Sequence, residues 1–165
     1  MKVIRSGVFE TNSSSTHSIC ITKNNILDDK QDFIKFTIGE FGWEHEKYTT
    51  PYEKAQYLYT AILDNERFDL IYKIKTILDS HNIKYEFEEP KFHTSSDSKY
   101  KYYLAYGYID HSYYLDDFLE ICEDEDKLMK FLFSSESFII TGNDNDDYNV
   151  DINVNYPHDE YYKGN

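Results

Sequence analysis

Thr50-Pro51-Tyr52-Glu53 is the stretch that most limits how this chain can fold. A threonine three residues before a glutamate lets each side chain satisfy an amide that a helix start leaves unpaired, and proline at the first helical position has no amide to lose. A helix is therefore predicted to open at Pro51 and run to about Leu63, with Ala55, Leu58 and Ile62 on one face. Asp64-Asn65 interrupts it. Ile71, Ile74 and Leu78 then recur at helical spacing, so a second helix is predicted over residues 66 to 80. A helical hairpin of this kind must bury its apolar faces, and most of what flanks it reads as strand.

Val3 to Phe9 and Ser18 to Thr22 are short and rich in Val, Ile and Phe. Asp32 to Phe41, Ile83 to Glu88, Tyr100 to Ile109 and Ser137 to Gly142 are further strand candidates, with an edge strand at Val150 to Val154. Leu115 to Phe133 is helical, with a break near Asp124 where the acids of EDED suit a new helix N-terminus. The expected architecture is a single α+β domain over residues 1 to 165. It has a mainly antiparallel sheet, a helical hairpin, a further acidic helix and a frayed last few residues.

The charge is unbalanced: 17 Lys plus Arg face 31 Asp plus Glu, a formal net charge of −14. Such a chain is unsuited to a nucleic-acid backbone or an anionic membrane, both of which need clustered cations. No apolar run reaches the length of a membrane span, and the first residues lack the apolar segment of a signal peptide. Cys20 and Cys122 are isolated, which fits neither a disulfide framework nor a zinc site. A soluble, cytoplasmic protein is the expectation, with no cofactor.

Three polar clusters sit beside predicted strands. The first, FETNSSSTHS, reads as the connection between the two N-terminal strands and supplies Asn12, Ser13, Ser14, Ser15 and His17. The others are Asp110-His111 and Asn143-Asp144. Short hydroxyl and amide side chains stabilise turns through local hydrogen bonds, and they also surround phosphates. If the strands are neighbours, the nine residues form a ligand site suited to a divalent metal or a nucleotide phosphate. The bland alternative is a self-satisfied turn. Stock motifs are absent: there is no GxGxxG, GxxxxGK[ST], HExxH or GxSxG, and the Asp144-Asn145-Asp146 run lacks the glycine and glutamate of a calcium loop.

Acids concentrate late in the chain, at Asp116, Asp117, Glu120, Glu123, Asp124, Glu125 and Asp126, and again at Asp144, Asp146 and Asp147. The chain has seventeen tyrosines, and many lie beside acids. Carboxylates standing in for phosphates and rings for bases would make a nucleic-acid mimic, while an AT-rich coding sequence would enrich the same residues without selection.

GVFETNSSSTHS, YIDH and FLFSSESFIITGNDND together resemble a family of small proteins from Gram-positive bacteria and their phages. That family has no established activity, so the resemblance implies no catalytic residues. It does imply a single site for the three clusters and a phage or mobile-element origin. The leading expectation is a non-enzymatic inhibitor, of anti-CRISPR or anti-restriction type. Its acidic residues would dock on the basic surface of a host protein that handles nucleic acid. The alternative is a nucleotide- or metal-dependent enzyme using the serine-rich run with Asp110-His111 and Asn143-Asp144. An α+β module with a structural role comes third.

Overall fold

The computed structural model describes residues 15–42, 44–94, 102–110, 115–143 and 160–164. In chain order the strands are β1 (Ser15–Ile21), β2 (Phe33–Phe36), β3 (Glu40–Phe41), β4 (Glu46–Tyr48), β5 (Lys84–Phe87), β6 (Phe92–Thr94), β7 (Tyr102–Leu104), β8 (Tyr108–Ile109), β9 (Phe138–Asn143) and β10 (Glu160–Gly164). The helices are α1 (Pro51–Asp64), α2 (Asp69–Ser80), α3 (Asp116–Leu119) and α4 (Glu125–Phe133), with a 3-10 turn at Glu120–Glu123 between the last two.

The capping box forms. Thr50 Oγ1 accepts from the Glu53 amide at 3.3 Å, and Glu53 Oε2 accepts from the Thr50 and Thr49 amides at 3.0 and 3.1 Å. Asn65 ends α1 by donating its amide to the Ala61 carbonyl at 3.0 Å, supported by its side chain at 2.9 Å. Glu66 then takes a left-handed φ of 55° and the Arg67 amide closes onto Ile62. That reversal delays α2 to Asp69, three residues beyond the predicted start. The stripe of α2 also turns: Leu70, Ile74 and Leu78 are buried, while Ile71 is only partly so.

Helix α1 is the centre of the molecule. Lys54, Ala55 and every residue from Tyr57 to Leu63 are buried, so it is covered on nearly all sides. It packs against β2, β7, β8, α3 and α4. The main sheet runs β10-β1-β9-β4 and is antiparallel throughout. Strand β2 pairs in parallel with β5, because the helical hairpin carries the chain back across between them. A second short parallel ladder joins β3 to β8.

Several strand boundaries differ from expectation. The polar run is not purely a connection: Ser15 to Ser18 belong to β1, since their amides pair with β9. The predicted strands Val3 to Phe9 and Val150 to Val154 lie outside the described residues. Glu160–Gly164, expected to fray, pairs with β1 as an edge strand. The tyrosine-rich strand is split into β7 and β8 by Ala105-Tyr106-Gly107. Gly107 has φ 77°, and a Cβ there would stand 2.2 Å from Ile38 Cγ2, so only glycine lets the chain turn so closely. This turn delivers Asp110 beside β3, where its amide donates to the Phe41 carbonyl at 2.9 Å.

Lys54 is fully buried on α1. Its Nζ donates to the carbonyls of Ser134 at 2.7 Å and Ser137 at 3.1 Å, tying α1 to the α4–β9 turn. Burial pushes its pKa down to about 8, opposed by the nearby Asp29 and Asp28 carboxylates. The folded state therefore releases this proton near pH 8, while the unfolded chain keeps it to about 10.5. Lys54 therefore contributes stability that rises with pH across that interval, because the unfolded state then binds more protons at this site. The buried Cys122 thiol works the other way, since the unfolded chain loses that proton at an ordinary pKa while burial holds it on in the fold. The test is therefore a comparison: in urea unfolding from about pH 7.5 to 9.5, below tyrosine ionisation, the wild-type midpoint should rise relative to that of Lys54→Met, which keeps Cys122; parallel profiles would contradict a proton lost from buried Lys54.

Candidate functional site

Antiparallel pairing brings three of the sequence-predicted residues to one end of the main sheet. Ser15 lies opposite Asn143, and His17 lies opposite Thr141. Asp110 joins them through its backbone: Ser15 Oγ donates to the Asp110 carbonyl at 3.3 Å. Asn12, Ser13, Ser14, His111 and Asp144 lie outside the described residues, as do Asp146 and Asp147.

His17 connects this end of the sheet to α1. Its Nε2 is 3.2 Å from Ser15 Oγ and its Nδ1 is 3.2 Å from the Tyr57 hydroxyl. The roles follow from counting protons. Ser15 has one hydroxyl proton and gives it to Asp110, so the histidine must donate from Nε2. Nδ1 then accepts from Tyr57. The chain of donors runs Tyr57, His17, Ser15, Asp110 carbonyl. A histidine that donates to a serine is not its general base, which would have to accept the serine proton.

Burial points the same way. Ser15 is 0% exposed and His17 only 1%, and Tyr57 is 0% exposed. Burial holds the Tyr57 phenol well above its ordinary pKa, so it stays a neutral donor. Thr141 is buried too, donating to the Glu44 carbonyl at 2.8 Å. Among the described residues no buried side-chain nitrogen or oxygen lacks a partner. Here the arrangement can fix a strand to a helix, and it leaves no described polar atom aimed at a substrate.

Other chemistry is limited. Cys20 and Cys122 are both buried, and burial raises the Cys122 pKa far above its usual value, so it is not a thiolate nucleophile. Among the described residues no group of three or more His, Cys, Asp or Glu is arranged to hold a metal ion. No described helix is long and apolar enough to cross a membrane.

The acidic residues are placed differently. Asp116, Asp117, Glu120, Glu123, Asp124, Glu125 and Asp126 are all exposed along α3, the 3-10 turn and the first turn of α4. Four of them also serve the fold. Glu123 pairs with Lys73, Glu125 with His81 at 2.7 Å, and Asp126 with Lys130 at 2.7 Å. Asp124 caps α4 by accepting from the Lys127 amide at 3.1 Å. Asp117, Glu120, Glu123 and Asp124 surround a depression of about 350 Å³, with Lys127, Ile121 and Tyr162 completing its lining.

Sequence reasoning missed Tyr57 and Lys54. Both lie on the side of α1 that an amphipathic reading assigns to solvent, and their only signal is a helix whose polar side is unusually poor in charge. No protein-family model, curated protein or solved structure matches the chain.

Removing the Tyr57 hydroxyl tests the network. Tyr57→Phe leaves a buried imidazole nitrogen without its donor, which typically costs about 1–3 kcal/mol. Urea unfolding should show a loss of that size with an unaltered far-ultraviolet spectrum. An unchanged midpoint would contradict the bond's structural role.

Proposed function

We propose that this protein is a non-catalytic binding module that presents an acidic face to a cationic surface on a protein that handles nucleic acid. One observation carries the reading: the seven carboxylates from Asp116 to Asp126 are all exposed, on α3, the 3-10 turn, the extended residue Asp124 and the first turn of α4. No Lys, Arg or His occurs among them in the sequence. Asp116, Asp117 and Glu120 are the acids best suited to a partner, because among the described residues no ion pair occupies them. Surfaces that receive nucleic acid are rich in Lys and Arg. A row of carboxylates beside an aromatic ring such as Tyr162 offers those cations a substitute for phosphates. The resemblance of its motifs to small phage proteins supports, by analogy alone, an inhibitor of host defence of the anti-CRISPR or anti-restriction kind.

The convergence of Ser15, His17, Asp110 and Asn143 favours the second reading, a nucleotide- or metal-dependent enzyme. Its weakness is the geometry of the donors. Ser15 and His17 are sealed and bonded to one another, so a substrate would have to displace the contacts that join β1 to α1.

The test uses the host proteins that a heparin column retains. Immobilised protein should capture a defined subset of them, and capture should fall steeply between about 50 and 200 mM salt, as opposite-charge association does. Asp117→Lys with Glu120→Lys should weaken capture about tenfold or more, mainly by slowing association. Among the described residues neither caps a helix or joins an ion pair, so the melting temperature should hold. Capture indifferent to both salt and charge reversal would contradict the acidic-face reading.

A further inference from the structure

A cavity of about 520 Å³ lies beside the acidic face, between the 22–30 loop and the start of α4. Its size falls within the range of small-ligand sites. Leu27 and Met129 give it an apolar lining continuous with the hydrophobic core. Glu125 and Asp126 line it as well, with side chains 61% and 68% exposed.

The loop wall is held in place. Glu136 Oε2 accepts from Thr22 Oγ1 at 2.7 Å and from Asn24 Nδ2 at 2.8 Å. Asp28 accepts from the Ser135 amide at 2.9 Å and also from its hydroxyl. Lys130 Nζ reaches across to the Lys23 carbonyl at 3.4 Å. The cavity is thus built into the fold, and filling it requires no ordering of the loop.

Its chemistry selects an occupant. Glu125 gives Oε1 to His81, and Asp126 gives Oδ2 to Lys130. A carboxylate accepts through both oxygens, so each can serve an outside donor without losing its internal partner. An anion would meet these two carboxylates, and the Lys130 ammonium is already committed to Asp126 and Lys23. A purely apolar ligand would leave the carboxylates unused. What fits is an apolar stem ending in a planar, multiply donating cation, which can bury its methylenes and hold its head at the rim.

We infer that this cavity is a socket for an arginine side chain of the cationic partner, an inference that rests on the acidic-face reading. It names Glu125, Asp126, Leu27 and Met129 as the anchor beside the steering acids Asp116, Asp117 and Glu120.

The probe is n-butylguanidinium chloride, titrated into the whole protein with carbon-13 labelled Met and Leu methyls. The Met129 and Leu27 methyl signals should shift saturably. Glu125→Gln combined with Asp126→Asn should weaken that binding about tenfold, and Glu125→Gln alone, which spares the Lys130 pair, should weaken it by a smaller factor. Guanidinium chloride without a stem should give only a linear, unsaturated drift. The socket is overturned if no saturable shift appears, if bare guanidinium does as well, or if pentanoate saturates in its place and reveals an anion site at His81 and Lys130. A second arm separates the two readings. If Leu27→Trp, which fills the cavity, leaves capture of the heparin-retained proteins intact while Asp117→Lys with Glu120→Lys abolishes it, the socket fails and the acidic face stands. If neither change affects capture, both fail. Loss of capture in both variants, with saturable butylguanidinium binding, supports both.

Discussion

The bond between the Tyr57 hydroxyl and His17 Nδ1 fixes β1 to α1, and much of the architecture depends on that join. Strand β1 lies at the centre of the main sheet, between β9 and β10. Helix α1 is the buried hub on which β2, β8, α3 and α4 pack. One imidazole bridges them, and it continues through Ser15 to Asp110, the residue that the tight Gly107 turn places beside β3. A buried polar chain of this kind stabilises only when every member is satisfied, so it specifies one register of β1 against α1. A slip of β1 by one residue would put His17 on the opposite face of the sheet.

A second constraint is electrostatic. With a net charge of −14, the fold must hold many carboxylates close together. It does so by giving some of them internal duties. Asp124 and Glu53 cap helices, Glu123 and Asp126 each take a lysine ammonium from within the chain, and Glu125 takes the His81 imidazole. Exposed pairs of this kind contribute at most about 1 kcal/mol each, so their effect is to limit repulsion more than to hold the fold together. Asp116, Asp117 and Glu120, which have no such duty among the described residues, lie close together on α3 and the turn that follows. That division is the physical basis for distinguishing acids that serve the fold from acids available to a partner.

Much of this was legible in the sequence. The capping box, the break at Asp64-Asn65 and the break at Asp124 follow from local hydrogen bonding, which depends on few neighbours. The α+β class followed from the order of those elements. What local pattern does not carry is which strands become neighbours, and there the reading of Ser15 to His17 as loop went astray: Ser15 and Thr16 read as turn-formers, but the pairing of Ser15 to His17 with β9 overrides that preference, while residues 9 to 14 lie outside the described residues. The conjecture that Ser15, His17, Asp110 and Asn143 lie together agrees with their positions, yet their chemistry was not readable. It depends on Tyr57, forty residues away on a helix that the sequence suggests is half exposed. Lys54 escaped for the same reason, since a lysine in an amphipathic helix is ordinarily on the wet side.

The central claim is that the described end of the serine-rich run is a sealed strut, with His17 donating to Ser15 instead of drawing a proton from it. The nitrogen-15 signals of the His17 ring at neutral pH test this directly. The account predicts the neutral tautomer protonated at Nε2, with Nδ1 bare and accepting from Tyr57. A ring protonated at Nδ1 with Nε2 accepting from Ser15 would be the arrangement of a base beside its nucleophile, and would contradict it.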